Sequence, residues 1–249
     1  KWVNVNGTAF EFARTDWQYV TNTFCFGYGV GYKFSESKQG SCNGSFLCIG
    51  ADSCRRAIMV DQTNAFGLLI TNGEFVGQWA SKDSVCVEVG PKVAGKVNLS
   101  NCSFWGPNDK CIWMRAPGGH VSAIGCNFVD WDVNKTEAPA IAVDAGRAIL
   151  QSNTFFGLGT HVRIDKKAAS VIVSGNQAKG GVIVENAAGS HAQIYGNEGP
   201  PVVFSQAENA YYTLAIGSEN DTRFRKTGYG EEQAAGWRGK AGTTRWSTR

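Results

Sequence analysis

The feature that most constrains this chain is a repeat. The stretch Val97-Asn98-Leu99-Ser100-Asn101-Cys102-Ser103-Phe104 alternates apolar with polar residues before an Asn and an aromatic, and related strings end at Phe24, Phe46, Phe75, Phe128 and Phe155. Shorter copies without the Phe follow at residues 171–176 and 192–197. The steps between successive Phe residues are 22, 29, 29, 24 and 27. Self-similarity on that scale, with a period that wanders, belongs to a solenoid whose coils carry loops of unequal length.

A second signature, apolar-x-apolar, follows each copy. It reads Tyr32-Lys33-Phe34, Ile58-Met59-Val60, Val85-Cys86-Val87, Ile112-Trp113-Met114, Ile141-Ala142-Val143, Val162-Arg163-Ile164, Val182-Ile183-Val184 and Val202-Val203-Phe204. Period-two alternation of this kind makes each triplet a strand with one face inward. Hairpin-closing dipeptides do not occur at the two-residue spacing a sandwich would need. The chain is therefore expected to be all-β, a parallel β-helix of about eight coils in which each strand pairs with its own copy one coil along. Like residues then sit over like. The expected ladders are Phe24, Phe46, Phe75, Phe104, Phe128 and Phe155, with Asn43, Asn72 and Asn101 at one corner position and Asn153, Asn176 and Asn197 at the next. Asn101 is expected to be buried in its ladder.

Apolar residues make up 43% of the chain and the formal net charge is +3, enough for a core and too little for an electrostatic nucleic-acid binder. Seven Lys/Arg against four acids between Ser218 and Arg249 account for that whole excess, leaving the repeat body neutral. No apolar run approaches the roughly 18 residues of a membrane-spanning helix. Residues 1–216 are expected to form the β-helix. Residues 217–249 are expected to be an irregular, Gly-rich, basic tail or cap, anchored by Tyr211, Tyr212, Trp237 and Trp246, or the start of a further module. Upstream or downstream segments of a larger protein, or further copies of the chain, are the expected macromolecular partners.

Eight cysteines are too few for a disulfide scaffold in a chain this long. Cys102 and Cys126 fall two residues before their Phe in consecutive repeats, so they should stack at roughly the 4.8 Å interstrand spacing, as buried thiols or as a disulfide. A bridge among Cys42, Cys48 and Cys54 is also expected to be feasible. With no CxxC pair and only His120, His161 and His191 in support, a structural zinc site is not expected.

The residues from Asp16 to Phe34, with residues 67–75 and the Phe and Asn spacing, resemble the uncharacterised bacterial branch of the pectate-lyase-like superfamily over about four-fifths of the chain. The resemblance implies a right-handed coil, a secreted or cell-surface location, and chemistry of the glycoside hydrolase or polysaccharide lyase type. It does not supply a catalytic set. The Asn-Thr-Asp, Asp-Asp and His-Gly elements of polygalacturonases are absent, Arg163-Ile164-Asp165-Lys166 is only faintly similar to their Arg-Ile-Lys element, and the arginine motif of pectate lyases is missing.

Candidate residues therefore come from register alone. The position after each triplet holds Ser35, Asp61, Glu88, Arg115, Asp144, Asp165, Glu185 and Ser205, which should line one edge of one sheet. Asp144 and Asp165 would be stacked carboxylates with Arg115 and Arg163 nearby, the arrangement from which one acid can protonate a leaving group while the other attacks. A salt-bridge ladder in which Arg115 joins Glu88 to Asp144 is the alternative. Loops beyond the Phe positions carry Trp79, Trp105 and Trp131 with Asp83, Asp109, Asp130, Asp132 and His161. Trp rings can serve as platforms for sugar C–H faces, or they can cover the coil below. Asp130 and Asp132, with Asp109 one coil away, could hold a hard cation such as calcium.

The expected function is that of a carbohydrate-active protein, a hydrolase more than a lyase, acting on a plant or algal polysaccharide. Asp130, Asp132, Asp144, Asp165, Arg163 and His161 form the catalytic pool, and Trp79, Trp105, Trp113, Trp131, Arg115, Glu88 and Asp109 the substrate-binding set. A non-catalytic binding module, adhesin or spike stem is the alternative.

Overall fold

The structure is a computed structural model. It describes residues 1–79 and 81–199, and the backbone of strands Val202–Ser205, Ala210–Ile216, Thr222–Thr227 and Ala234–Trp237.

Three parallel sheets wrap one core, so the expected β-solenoid of about eight coils is the fold. Sheet A has eight strands, Thr8–Phe12, Val30–Phe34, Arg56–Val60, Val85–Val89, Lys110–Met114, Ile141–Val143, Val162–Ile164 and Val184–Asn186. Sheet B likewise has eight, Gln18–Thr21, Gly44–Leu47, Leu68–Thr71, Lys96–Ser100, His120–Ile124, Gly146–Gln151, Ala168–Ser174 and Ala192–Tyr195. Sheet C has seven, Phe24–Phe26, Gly50–Cys54, Glu74–Gly77, Ser103–Trp105, Asn127–Phe128, Thr154–Phe155 and Gln177–Ala178. The stack of parallel coils ends there. Val202–Ser205 pairs antiparallel with Ala210–Ile216, and Thr222–Thr227 and Ala234–Trp237 continue that antiparallel sheet. The triplet Val202-Val203-Phe204 is thus not another parallel rung, and part of the expected irregular tail is strand. The side chains of Tyr211, Tyr212, Trp237 and Trp246 lie outside the described residues.

A short bend between sheets B and C recurs in every coil and explains the sequence pattern there. Its residue takes the left-handed conformation: Asn22, Cys48, Asn72, Asn101, Ser152, and glycine at Gly125, Gly175 and Gly196, with φ between 51 and 65°. Asn and Gly tolerate this region best because their side chains are short or absent. The next residue turns inward. Cys102, Cys126, Asn153 and Asn176 fill that position in consecutive coils, all with 1% exposure or less. Asn153 Nδ2 donates to Asn176 Oδ1 at 2.9 Å, and Asn176 Nδ2 to Asn197 Oδ1 at 2.8 Å. Each amide also donates to a backbone carbonyl, at Ala123, Leu150 and Val173. This inner ladder is as expected.

The outer Asn ladder is corrected. Asn101 donates to Asn72 at 2.7 Å, but it is exposed, because a left-handed bend residue points its side chain away from the core. Asn43 lies at a different corner, before sheet B, where its Oδ1 accepts the Trp17 amide.

The Phe ladder is real over four coils and shorter than expected. Phe75, Phe104, Phe128 and Phe155 are in register, with stacked ring centroids 5.7, 5.0 and 4.9 Å apart. In the first two coils the same inward position is held by Cys25 and Ala51. Phe24 is therefore an outward residue, 64% exposed, while Phe46 belongs to sheet B in register with Ile70. Counting back from an aromatic fails there because the bend-to-inward-residue spacing stays at three while the aromatic moves: Phe24 falls one residue before the inward position and Phe46 two residues before the bend.

All eight cysteines are free. Cys102 and Cys126 form the expected buried thiol stack. Cys54 makes a hydrogen-bonded thiol pair with Cys25 in the coil above, so Cys42, Cys48 and Cys54 are not bridged together. Cys86 and Cys111 occupy matching places in adjacent sheet A strands, and burial drives both thiols well above their ordinary pKa.

Candidate functional site

Sheet A turns its outer face to solvent, and its register decides which polar residues meet. Two outward rows run along the axis. The middle row is Glu11, Lys33, Met59, Glu88, Trp113, Ala142, Arg163 and Glu185. The following row includes Ser35, Asp61, Gly90, Arg115, Asp144, Asp165 and Ala187, each amide donating to the strand before it. Glu88 and Glu185 thus belong one row earlier than expected. The true rungs are Val87-Glu88-Val89 and Val184-Glu185-Asn186, two residues beyond the triplets Val85-Cys86-Val87 and Val182-Ile183-Val184. The apolar run is longer than a rung at both places, and periodicity does not say which pair points inward. Ser205 lies outside the residues whose side chains are described.

Asp144 and Asp165 stay where the sequence put them, on consecutive rungs, at a backbone separation of roughly 4.8 Å. Both line one recess of about 320 Å³ together with Arg163, Glu185 and Asn186. Trp113 stands one rung above, and its Nε1–H donates to Asp144 Oδ2 at 2.6 Å. Ala142 lies between Trp113 and Arg163 in the register and is buried, leaving a low floor between two tall side chains. On one side the Trp113 ring carries the Arg115 guanidinium, 4.4 Å from its centroid, and Lys110 Nζ lies 5.4 Å away. This cation–π packing fixes the indole in place. Lys110 also pairs with Asp109.

Three acids, Glu88, Asp83 and Glu185, are each held by an arginine. Glu88, nearly buried, accepts from Arg56 at 2.5 Å and Arg115 at 2.7 Å. The ion-pair ladder weighed from the sequence therefore joins Arg115 to Glu88, while Asp144 takes the indole instead. Asp83 is gripped by Arg55, whose guanidinium pulls the carboxyl down to about pKa 2. Glu185 accepts from Arg163 at 2.5 Å and Thr160 at 2.6 Å, and the arginine lowers its pKa. Arg163 also donates to the Glu137 carbonyl at 2.7 Å, tying the recess to the 129–139 loop. Arg55, Arg56 and Thr160 were not singled out from the sequence. The signal that could have found the first two is the paired Arg just ahead of a rung.

The loop-wall residues separate into different roles. Trp131 is 6% exposed and packs edge-on against Phe155 and His161. It is a cover, because the loop folds it inward over Gly157. Trp105 lies in sheet C, 44% exposed, in register with Val76, and Trp79 follows the preceding strand, 69% exposed. These three rings do not make one platform row. His161 is buried between Trp131 and Phe155, and its Nδ1 accepts the Ile183 amide at 2.8 Å. Burial lowers its pKa, so the ring is neutral near pH 7 and positions backbone. Asp132 takes a positive φ of 54° and its carboxylate accepts the Thr136 and Glu137 amides, closing the loop on itself. Asp130 is exposed, and it is the Asp130 carbonyl that accepts the Cys111 thiol. Asp109, Asp130 and Asp132 are not brought together as a cluster of three metal-ligating side chains among the described residues. No helix of the described residues is long and apolar enough to cross a membrane.

No family model, curated protein or solved structure matches this chain.

Proposed function

We propose that this chain is a carbohydrate-active β-helix protein, a glycoside hydrolase acting on a plant or algal polysaccharide outside the cell, with Asp144 and Asp165 as its carboxylate pair. The observation that carries the reading is their shared recess on consecutive rungs, beside an indole held by one of them. A glycosidase needs two carboxyl groups flanking the scissile bond, and those that retain configuration hold them about 5–5.5 Å apart. One coil step provides a separation of that order. Asp144, oriented by Trp113, attacks the anomeric carbon. Asp165, oriented by the Lys167 amide, protonates the departing oxygen and then deprotonates the incoming water. Trp113, half-buried, supplies the aromatic surface against which the sugar ring stacks. Arg163, on the far side of the Ala142 floor, takes the sugar hydroxyls as a charged donor.

Release of reducing ends across a panel of polysaccharides tests this reading, with absorbance of unsaturated uronates followed in parallel. The expected result is reducing-end release without uronate absorbance, lowered about 10²–10⁴-fold in Asp144→Asn and Asp165→Asn. Both variants should keep the far-ultraviolet spectrum and thermal midpoint of the parent. Equal activity in parent and variants would overturn the assignment.

One observation favours a second reading, a non-catalytic binding module. Arg56, Glu88 and Arg115 form a closed ion-pair network on this face, and Arg163 with Glu185 forms another. Such a surface can hold a glycan without cleaving it. Binding by affinity electrophoresis with no product on any polysaccharide would support it.

A further inference from the structure

A second recess lies four coils away from Asp144, at the corner leading into sheet B. Trp17, Tyr19 and Phe66 stand around it with Leu69, over a floor formed by Gly44 and Gly67. All four side chains are strongly exposed, Trp17 to 62%, Tyr19 to 76%, Phe66 to 68% and Leu69 to 47%. A cluster of that kind is unusual on a protein surface and marks a contact site more often than chance exposure does.

The corner is built rather than accidental. Trp17 has a φ of 54°, a region that a bulky L-residue avoids and that is retained where surroundings enforce it. The enforcing contact is Asn43, 2% exposed, whose Oδ1 accepts the Trp17 amide at 3.0 Å. The Trp17 ring is presented against Phe66, two coils on, with centroids 5.6 Å apart and planes at 42°. Between them the backbone is bare. A Cβ on Gly44 would sit 2.1 Å from the Gln18 carbonyl oxygen and one on Gly67 2.6 Å from that of Lys96, so the strands approach too closely for any side chain.

The lining states the ligand chemistry. Trp17, Tyr19, Asn43, Gly44, Ser45, Phe66, Gly67 and Leu69 include no charged group, while Tyr19 and Ser45 bring hydroxyl functions beside the rings. At about 150 Å³ the recess is smaller than the roughly 300 Å³ at which drug-sized pockets begin, so it takes one ring of a longer molecule. Aromatic faces with neutral hydrogen-bonding groups match a saccharide ring, which has a C–H face and a rim of hydroxyls. We propose that the Trp17–Tyr19–Phe66 recess binds one ring of a neutral saccharide, as a site separate from the Asp144 and Asp165 recess. The proposal extends the carbohydrate reading but does not depend on catalysis.

Titration calorimetry and tryptophan fluorescence test it with cellohexaose, xylohexaose, mannohexaose and laminarihexaose as neutral probes and hexagalacturonate as the charged comparator. At least one neutral hexaose should bind saturably, about tenfold or more weaker in Trp17→Ala and in Phe66→Ala, with Trp17→Phe retaining most of the affinity. Because both rings are exposed, the alanine variants should keep the parent's thermal midpoint, which is measured alongside. The proposal is overturned by unchanged affinity in both alanine variants, by binding of hexagalacturonate alone, by no binding of any probe, or by a sedimentation shift showing that Trp17→Ala breaks a self-association. Cleavage abolished by Asp144→Asn together with Trp17-independent binding would leave the hydrolase standing and this recess refuted; Trp17-dependent binding without cleavage would do the reverse.

Discussion

The first two coils and the four that follow fill the same cross-section in different ways. In the second coil the inward residues are Tyr32 and Phe34 from sheet A and Phe46 from sheet B, with only Ala51 from sheet C. In the fourth coil they are Val87 and Val89, Val97 and Leu99, and the ring comes from sheet C as Phe104. The aromatic load has moved from two walls of the coil to the third. A close-packed interior fixes the summed volume of each layer and leaves open which wall supplies it. Ladders of identical side chains are one solution to that constraint, and the first coils show that the fold does not require them.

The largest expected effect tests where each coil keeps its volume. Phe104→Ala removes a fully buried ring between Phe75 and Phe128 and should cost about 3–5 kcal/mol in urea unfolding. Phe24→Ala, at the place the repeat string alone would treat as equivalent, should leave the midpoint nearly unchanged because the ring is in solvent. Ala51→Phe, which imposes the later solution on an early coil, should overpack it and cost about 1–3 kcal/mol. If Ala51→Phe were stabilising, the exchange of volume between walls would be wrong.

A smaller effect separates the two asparagine rows. Asn176 is 1% exposed, and its amide serves the Asn153 N–H and the Leu150 carbonyl as well as its two ladder neighbours. Asn176→Ala strands buried backbone groups and should cost about 2 kcal/mol or more. Asn101→Gly loses only an exposed bond to Asn72 while keeping the left-handed bend, and should fall within about 0.5 kcal/mol of the parent. Thermal unfolding of the two variants checks both figures. A costly Asn101→Gly would mean that the outer row carries axial stability after all.

These contrasts show which parts of the molecule could be read from the sequence. The parallel stack was legible because strand alternation, the bend residue and the inner Asn and Cys positions recur once in each coil at fixed places relative to one another, whatever the length of the loops between them, and backbone hydrogen bonding holds those places in register. The placement of Asp144 and Asp165 was legible for the same reason, since each directly follows an unambiguous rung. Glu88 and Glu185 were displaced by a row because Val85–Val89 and residues 182–184 offer more apolar residues than one rung needs. For Trp131 the sequence left platform and cover both open, and nothing in it placed His161 beneath that ring. Loop backbone with positive φ at Asp132, Lys135 and Glu137 folds them under the surface, and nothing periodic governs a loop. The Trp17 recess escaped notice because its members come from three coils at a corner whose sequence varies freely.

The gentlest test concerns the place where the regular interior meets that irregular loop. The His161 ring lies tilted against Phe155, the last ring of the ladder, with centroids 4.9 Å apart, and burial holds its pKa below the ordinary 6.5. Above that value neither the folded nor the unfolded chain protonates this ring, and its contribution to stability is constant. As the pH falls below 6.5 the unfolded chain takes up a proton that the folded one refuses, so stability should decline until the folded pKa is reached and then level off. His161→Gln removes the titration while keeping an acceptor for the Ile183 amide, and should flatten the decline in denaturation midpoint below about pH 6.5. The decline should shrink rather than vanish, because His120 is also lowered by burial and by Lys96 and Arg147, to which it is paired in register. Were the parent instead to gain stability on acidification and His161→Gln to abolish that gain, His161 would carry a charge in the folded state. The ring would then belong with the chemistry of the recess and not with the interior of the stack.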